Sequence, residues 1–149
     1  MRAAIRLSHQ SMKKNSGPFG CVIVKDGKVI ARGHNAVTLL NDPTAHAEIM
    51  AIRKACKKLG SYQLTGCEIF SSCEPCPMCL GAIYWARPDK VYFGNTNEDA
   101  AAAGFDDAVI YKEISMDLLK RKIPFESLMR KEAMKAFDEW NLKENKIRY

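Results

Sequence analysis

The sequence predicts an α/β domain in which helices cover both faces of one mixed, five-stranded sheet, a three-layer α/β/α arrangement. Short β-branched runs alternate along the chain with longer segments of helical periodicity. The pair Asp26-Gly27 joins two such runs in the manner of a β-hairpin. A later strand, helix, strand segment predicts a crossover connection. Helices that alternate with short buried strands normally pack on both faces of a sheet.

Each predicted strand is a short apolar run that ends at a turn signal. A fifth strand has two candidates, Val109-Ile110-Tyr111 and the segment around Phe125-Glu126-Ser127-Leu128, and the sequence leaves both open. The other predicted strands are Cys21–Val24, Lys28–Gly33, Cys67–Phe70 and Val91–Phe93.

The helices are predicted from apolar residues at a spacing of three and four, together with their end signals. Gly60 closes the second helix, and Arg87-Pro88 ends the third. We find no repeat and no flexible linker, so residues 1–149 are expected to form a single domain. The predicted helices cover residues 2–14, 45–59, 76–86 and 132–145.

Composition is that of a packed protein. The chain has 149 residues, with 47% hydrophobic and 27% charged residues, which is typical of one globular domain. No apolar run is long enough for a signal peptide or a bilayer span, so we expect a cytoplasmic protein with no membrane partner. The formal charge is +6, but the basic residues are interleaved with acidic ones. This pattern favours solvated helix faces over a nucleic-acid surface.

Six cysteines stand at positions 21, 56, 67, 73, 76 and 79. In a cytosolic chain, such a number indicates metal binding or catalysis more than disulfides. Cys21, Cys56 and Cys67 lie in apolar strand-like or helical runs and are expected in the core. The other three are close together in the sequence and are candidates for chemistry.

Two fragments predict a catalytic zinc site: His46-Ala47-Glu48 and Pro75-Cys76-Pro77-Met78-Cys79. One imidazole and two thiolates are a zinc ligand set, and they leave the fourth tetrahedral position open for water. Cys76 and Cys79 stand at the start of a predicted helix, where they share one face and the helix dipole favours the thiolate. We therefore predict Zn²⁺ bound by His46, Cys76 and Cys79.

Glu48 is predicted to be the catalytic acid and base. The ligand set is complete without it, and the mechanism needs a group that takes a proton from metal-activated water and passes it to the substrate. The combination H-x-E and P-C-x-x-C is the signature of zinc-dependent deaminases that act on nucleobases. The sequence therefore predicts a hydrolytic nucleobase deaminase.

Two other metal sites are considered. Cys73, Cys76 and Cys79 have the spacing of three iron–sulfur ligands, but the fourth Cys-Pro of that pattern does not follow. The non-enzymatic alternative is a structural zinc site or a redox module. A structural zinc needs four protein ligands, and Cys73 could be the fourth only by taking the coordination position that catalysis needs for water. Glu48 and the three-ligand pattern disfavour it, and the role of Cys73 stays open.

Besides the zinc motifs, the chain contains the stretches Gly17–Gly20, Gly81–Pro88 and Ala103–Asp107 and an aromatic tail. With these features, the sequence resembles the zinc-dependent guanine deaminases of the cytidine-deaminase-like superfamily. The zinc motifs are typical of the superfamily, whereas three other stretches and the aromatic tail are similar to its guanine deaminases. The resemblance runs from Gly17 to Tyr149 and implies a cytidine-deaminase-like fold that converts guanine to xanthine and ammonia.

The same resemblance implies which residues bind the purine. Asn35 and Asp107 are expected to hydrogen-bond it, and Phe19 and Trp85 to pack against its ring. Aromatic faces stack on bases, and a carboxylate accepts from the N1 and 2-amino donors of guanine. Whether Asp106 or Asp107 contacts the base stays open. Ala47 and Tyr149 complete the expected substrate-binding set.

The resemblance also implies the assembly. We expect a homodimer in which the segment of about 130–149 closes over the active site, in some members by swapping onto the partner. The substrate is expected to be a free purine base, with no nucleic acid bound. A tRNA adenosine deaminase or another nucleobase deaminase is the alternative; no dense basic arm lies near the motifs. Other aminopurines, triazines, cytosine and nucleosides stay open as substrates.

Overall fold

The computed structural model describes residues 1–105 and 107–148. The strands are β1 (Gly20–Lys25), β2 (Lys28–His34), β3 (Cys67–Cys73) and β4 (Lys90–Asn95). The helices are α1 (Arg2–Met12), α2 (Val37–Leu40), α3 (Ala47–Leu59), α4 (Pro77–Ala86), α5 (Asn97–Ala102), α6 (Ala108–Ile114) and α7 (Arg130–Leu142), with a short 3-10 helix at Leu118–Lys120.

The sheet is mixed, as predicted, with the strand order β2-β1-β3-β4. β1 pairs antiparallel with both β2 and β3, and β3 pairs parallel with β4. Asp26 and Gly27 make the hairpin turn with φ values of 49° and 72°, the left-handed conformation that this turn type requires. α4 forms the crossover between the two parallel strands.

Helices lie on both faces of the sheet. Gly20 and Cys21 are neighbours on β1 and therefore face opposite sides. A Cβ atom on Gly20 would lie 2.3 Å from the carbonyl oxygen of Ala4, so α1 packs on that face. Gly33 pairs with Cys21 across the other face, where a Cβ atom would lie 2.1 Å from the carbonyl oxygen of Ala47. α3 therefore packs on the opposite face from α1.

The main core lies on the face of the sheet that helix α3 covers. Cys21 and Cys67 are fully buried there, as predicted, and Cys56 is half-buried at its edge. Helix α3 contributes small residues that allow its close approach to the strands. The buried members of this core are Cys21, Ile23, Ala31, Ala47, Ala51, Ala55, Leu64, Cys67, Ile69, Ile83 and Ala86.

The prediction of a fifth strand is wrong, because the sheet has four strands among the described residues. Val109-Ile110-Tyr111 lies inside helix α6, and residues 125–128 form neither a helix nor a strand. A run of three apolar residues has no period of its own and fits either structure. Val109 and Ile110 are 42% and 44% exposed, so no second layer covers them as it would cover a central strand.

The chain divides into two compact units, Met1–Ala108 and Val109–Tyr149. The first unit contains the sheet and helices α1 to α5. The second contains the 3-10 helix and α7, and none of its described residues is buried. No helix in the described part of the chain has the length and apolarity needed to cross a membrane.

Candidate functional site

The three predicted metal ligands lie together. The ligand atoms of His46, Cys76 and Cys79 are all within 4.8 Å of one another, and Nδ1 of His46 lies 3.5 Å from Sγ of Cys76. His46 is the N-cap residue of α3, and Cys76 is the N-cap residue of α4. Two helix N-termini packed side by side therefore bring these residues together across thirty positions of sequence.

This donor set fits zinc. One imidazole nitrogen and two sulfurs are ligands that Zn²⁺ prefers, and three protein ligands leave one tetrahedral position open. A hydrogen bond from Cys79 lowers the pKa of Cys76 to about 4, and the same bond raises the pKa of Cys79. Metal binding displaces the proton that such a pair shares.

Cys73 does not belong to this cluster. Its Sγ donates to the carbonyl oxygen of Thr96 at 3.4 Å, and burial raises the pKa of Cys73 to about 11. Among the described residues, the group whose ligand atoms lie within 4.8 Å of one another consists of His46, Cys76 and Cys79 and does not include Cys73. The structure thus gives no support to an iron–sulfur site or a four-ligand structural zinc site.

Glu48 lies in the first turn of α3 and is only 5% exposed. The hydroxyl of Ser71 donates to Glu48 Oε1, and Sγ of Cys79 lies 3.4 Å from Glu48 Oε2. Burial in this environment raises the pKa of Glu48 above that of an ordinary glutamate. A carboxylate with a raised pKa next to the metal ligands is suited to accept and return a proton.

A cavity of about 240 Å³ opens beside these groups. Its wall includes His46, Glu48 and Cys76 from the metal site. Three of the predicted purine-binding residues, Phe19, Asn35 and Asp107, also line it.

Asn35 has a defined orientation in this cavity. Its Oδ1 accepts from Ser16 Oγ at 2.7 Å and from the backbone N–H of Val37 at 3.3 Å. A backbone N–H can bond only to the oxygen of the amide, which fixes how the side chain is turned. Among the described residues, Nδ2 makes no hydrogen bond and no buried side-chain nitrogen lacks a partner, so Nδ2 is accessible to solvent on a residue that lines the cavity. Asn35 therefore offers a ligand a donor.

Phe105 also lines the cavity; it belongs to the stretch Ala103–Asp107 that carries the resemblance, but no role was predicted for its side chain. Its ring meets the ring of Phe19 edge-on, with centroids 4.9 Å apart and an interplanar angle of 81°. Phe19 stands just before β1 and Phe105 follows α5, so the pair joins two distant parts of the first unit.

Four predicted residues are not placed at the cavity. Ala47 is fully buried in the main core, and Trp85 is on α4 with 62% of its surface exposed; neither lines the cavity. Asp106 and Tyr149 lie outside the described residues. Sequence reasoning also missed Ser16 and Ser71, although the alternation of β3 places Ser71 on the face of Ile69, the side on which α3 packs.

The chain is similar in sequence to known deaminases. Residues 1–95 match the family model described as "Cytidine and deoxycytidylate deaminase zinc-binding region". The guanine deaminase of Bacillus subtilis (strain 168) is 53% identical over 150 residues, which cover 100% of this chain and 96% of that protein. A tRNA-specific adenosine deaminase of Aquifex aeolicus is 43% identical over 93 residues, 62% of each chain.

The fold is similar to a solved structure as well. The X-ray structure of guanine deaminase from Bacillus subtilis superimposes with a TM-score of 0.96 and 54% sequence identity, covering 99% of this chain and 95% of that chain. The matched region contains both zinc motifs, which confirms the prediction of a zinc cofactor. The chain therefore belongs to the cytidine and deoxycytidylate deaminase family of zinc-binding deaminases, and a relative that it matches over its full length is a guanine deaminase.

Proposed function

We propose that this protein is a zinc-dependent hydrolase that converts guanine and water to xanthine and ammonia. The observation that carries the proposal is Glu48, a buried carboxylate beside His46, Cys76 and Cys79 at the wall of a cavity sized for a small molecule. The full-length similarity to a guanine deaminase supports guanine as the base.

Zinc held by His46, Cys76 and Cys79 supplies activated water, because coordination brings the pKa of water towards neutrality. Glu48 is the group that moves protons. It takes one proton as the water oxygen bonds to C2 of guanine and passes it to a ring nitrogen. It then takes the proton of the new C2 hydroxyl and passes it to the 2-amino group. The C2–N bond then breaks and ammonia leaves, so the reaction consumes one water and leaves Glu48 unchanged.

The cavity residues hold the base. Phe19 and Phe105 provide aromatic surface against which a purine packs. The Nδ2 of Asn35 donates to an acceptor of the ring. Asp107 offers a carboxylate that accepts from the N1 and 2-amino donors of guanine. A base without those donors leaves the carboxylate unpaired and therefore binds more weakly.

The proposed assembly is a homodimer in which the segment of about 130–149 caps an active site, either that of its own chain or that of the partner subunit. The lack of buried residues in 109–148 supports it, because apolar side chains such as Leu128, Phe137 and Leu142 are more than 60% exposed. Such exposed apolar surface is typical of a segment covered by a partner. Trp85 does not line the cavity of its own chain, so its contact with the purine would come from the partner subunit. Tyr149 is proposed for the same cap.

The function is tested by ammonia release from guanine, cytosine, guanosine and adenosine-containing tRNA in separate reactions. Guanine is expected to be turned over fastest. Turnover of tRNA without turnover of guanine would instead assign the chain to the function named for its tRNA-specific relatives. Sedimentation at several concentrations tests the dimer.

The role of Glu48 is tested in the same assay. Glu48→Gln is expected to keep its zinc and lose kcat by about 100-fold or more, since general acid and base catalysis contributes at least that much. Turnover near that of the wild type would remove Glu48 from the mechanism.

A further inference from the structure

Beyond the metal ligands and the cavity wall, one buried side chain touches the reacting carboxylate. Ser71 is fully buried in β3, and its hydroxyl donates to Oε1 of Glu48. Its neighbours on the same face of the sheet are apolar, since Ser71 pairs with Cys21 and shares the face of Ile69. A hydroxyl in an apolar core is unfavourable unless it is hydrogen-bonded, and Glu48 is the partner here.

The two oxygens of Glu48 therefore have different surroundings. Oε1 is held by the sheet through Ser71, whereas Oε2 lies 3.4 Å from Sγ of the metal ligand Cys79. A hydroxyl carries a single proton, and this one is donated to Oε1. The bond leaves Oε2 as the oxygen that lies beside the metal ligand Cys79 and does not accept the proton of Ser71.

We propose that Ser71 is a positioning residue that holds the Glu48 carboxylate so that Oε2 is the atom that carries the proton. This inference rests on the proposed function. In the reaction, an O–H bond of the attacking water breaks as an O–H bond forms at Oε2. The proton then leaves Oε2 for a nitrogen of the base, and Ser71 keeps its own proton throughout. A carboxylate held in one rotamer stays oriented for proton transfer. The hydrogen bond from Ser71 therefore contributes to kcat.

A matched pair of variants isolates the hydroxyl. Ser71→Thr keeps it and adds a methyl group, and Ser71→Val has the same shape as threonine without it. We expect Ser71→Val to lower kcat on guanine by about 10-fold to 100-fold, the effect of a lost hydrogen bond to a charged group. Zinc content per chain and KM are expected to stay close to those of the wild type. Ser71→Thr is expected to restore most of kcat.

Ser72 supplies the control. It is the next residue on β3, it is 5% exposed, and its hydroxyl accepts from the backbone N–H of Gly20 at 2.9 Å. Ser72→Ala therefore removes a buried serine hydroxyl from the same strand without touching Glu48. A lower melting temperature with an unchanged kcat is expected.

The outcomes separate the possibilities. Equal kcat for the threonine and valine variants, or a loss of zinc in step with the loss of activity, would overturn the positioning role. All kcat values are taken per zinc-loaded folded chain; if the valine variant does not fold, Ser71→Ala, which removes only an oxygen, is compared with the wild type. Failure of the proposed function is visible beforehand, in wild-type protein that releases no ammonia from guanine, and the comparison then uses the base that it does deaminate.

Discussion

The ring of Phe105 stands edge-on to the ring of Phe19 at a centroid distance of 4.9 Å, and both rings line the cavity beside the metal site. The contact fixes one wall of the cavity by joining the segment before β1 to the segment after α5. Edge-to-face pairs of this kind are favourable because the positive ring edge meets the negative ring face.

Removing Phe105 is expected to weaken substrate binding more than chemistry. Phe105→Ala should raise KM for guanine by about 3-fold to 10-fold, corresponding to the energy of one aromatic pair, with kcat changed less. Steady-state kinetics measures both constants. Phe93→Ala is the control, because Phe93 is exposed on β4 and does not line the cavity. A fall in kcat alone would argue against a binding role.

The orientation of Asn35 predicts the effect of exchanging its amide for a carboxylate. In Asn35→Asp one oxygen still accepts from Ser16 and Val37, while the atom that faces the cavity becomes an acceptor. The donor to the substrate is lost, and kcat/KM for guanine is expected to fall by about 10-fold to 100-fold. Circular dichroism should show an unchanged fold. Activity equal to that of the wild type would mean that the substrate uses no donor at this position.

The close approach of α3 to β2 predicts a stability effect at Gly33. A Cβ atom there would meet the carbonyl oxygen of Ala47 at 2.1 Å and the amide nitrogen of Ala51 at 2.7 Å. Gly33→Ala is expected to lower the free energy of unfolding by about 1–3 kcal/mol and to reduce activity, because α3 carries the metal site. Denaturant titration measures the first effect.

Gly81 gives the matched control for that experiment. It lies within α4, and a Cβ atom on it would meet nothing within 4 Å. Gly81→Ala is expected to leave stability unchanged or to raise it by up to about 1 kcal/mol, since alanine is the better helix former. If both variants lose the same stability, the contact at Gly33 is not the cause.

The turn ahead of His46 predicts a pH-dependent contribution to stability. The hydroxyl and the backbone N–H of Thr44 donate to Oδ1 of Asp42 at 2.7 and 2.8 Å. The hydroxyl bond is the main cause that lowers the pKa of Asp42 below 3.8. The folded state then binds protons less readily than the unfolded state, so the contribution is present above pH 3.8 and is lost as the pH falls through the lowered value.

Thr44→Val removes the hydroxyl and keeps the shape of the side chain. The variant is expected to melt below the wild type at neutral pH, and the gap should close under acid conditions. Its Asp42 carboxyl should titrate at a higher pH than that of the wild type, as NMR can follow. A gap that is independent of pH would attribute the effect to packing instead of the charge of Asp42.

The zinc ligands were predictable because their chemistry is local in sequence. Cys76 and Cys79 are three residues apart at the start of α4, a spacing that places their side chains near one another. His46 and Glu48 stand at the N-cap and in the first turn of α3. That the two helix starts meet depends on the packing of both helices on one sheet face. The motifs predicted that the two helix starts lie together, and the structure places the ligand atoms of His46, Cys76 and Cys79 within 4.8 Å of one another.

Other features depend on the tertiary structure and were missed. The apolar run at 109–111 does not indicate whether another element of the fold packs against it, and in the structure it lies in helix α6. Ser71 is one hydroxyl in an apolar strand, and its importance appears only once α3 places Glu48 opposite. Trp85 shows the reverse: the family resemblance implied a contact with the purine ring, but this residue on α4 does not line the cavity of its own chain.

The metal ligands and the proposed purine-binding residues stand on different elements of the fold, which affects how the pocket could be redesigned. The ligands stand on helix starts packed against the sheet, whereas Asn35, Phe105 and Asp107 lie in connecting segments after β2 and after β4. Substitutions in these segments can change the shape and polarity of the pocket while the hydrolytic centre keeps its place. The scaffold is therefore a suitable starting point for directed evolution towards other aminated heterocycles.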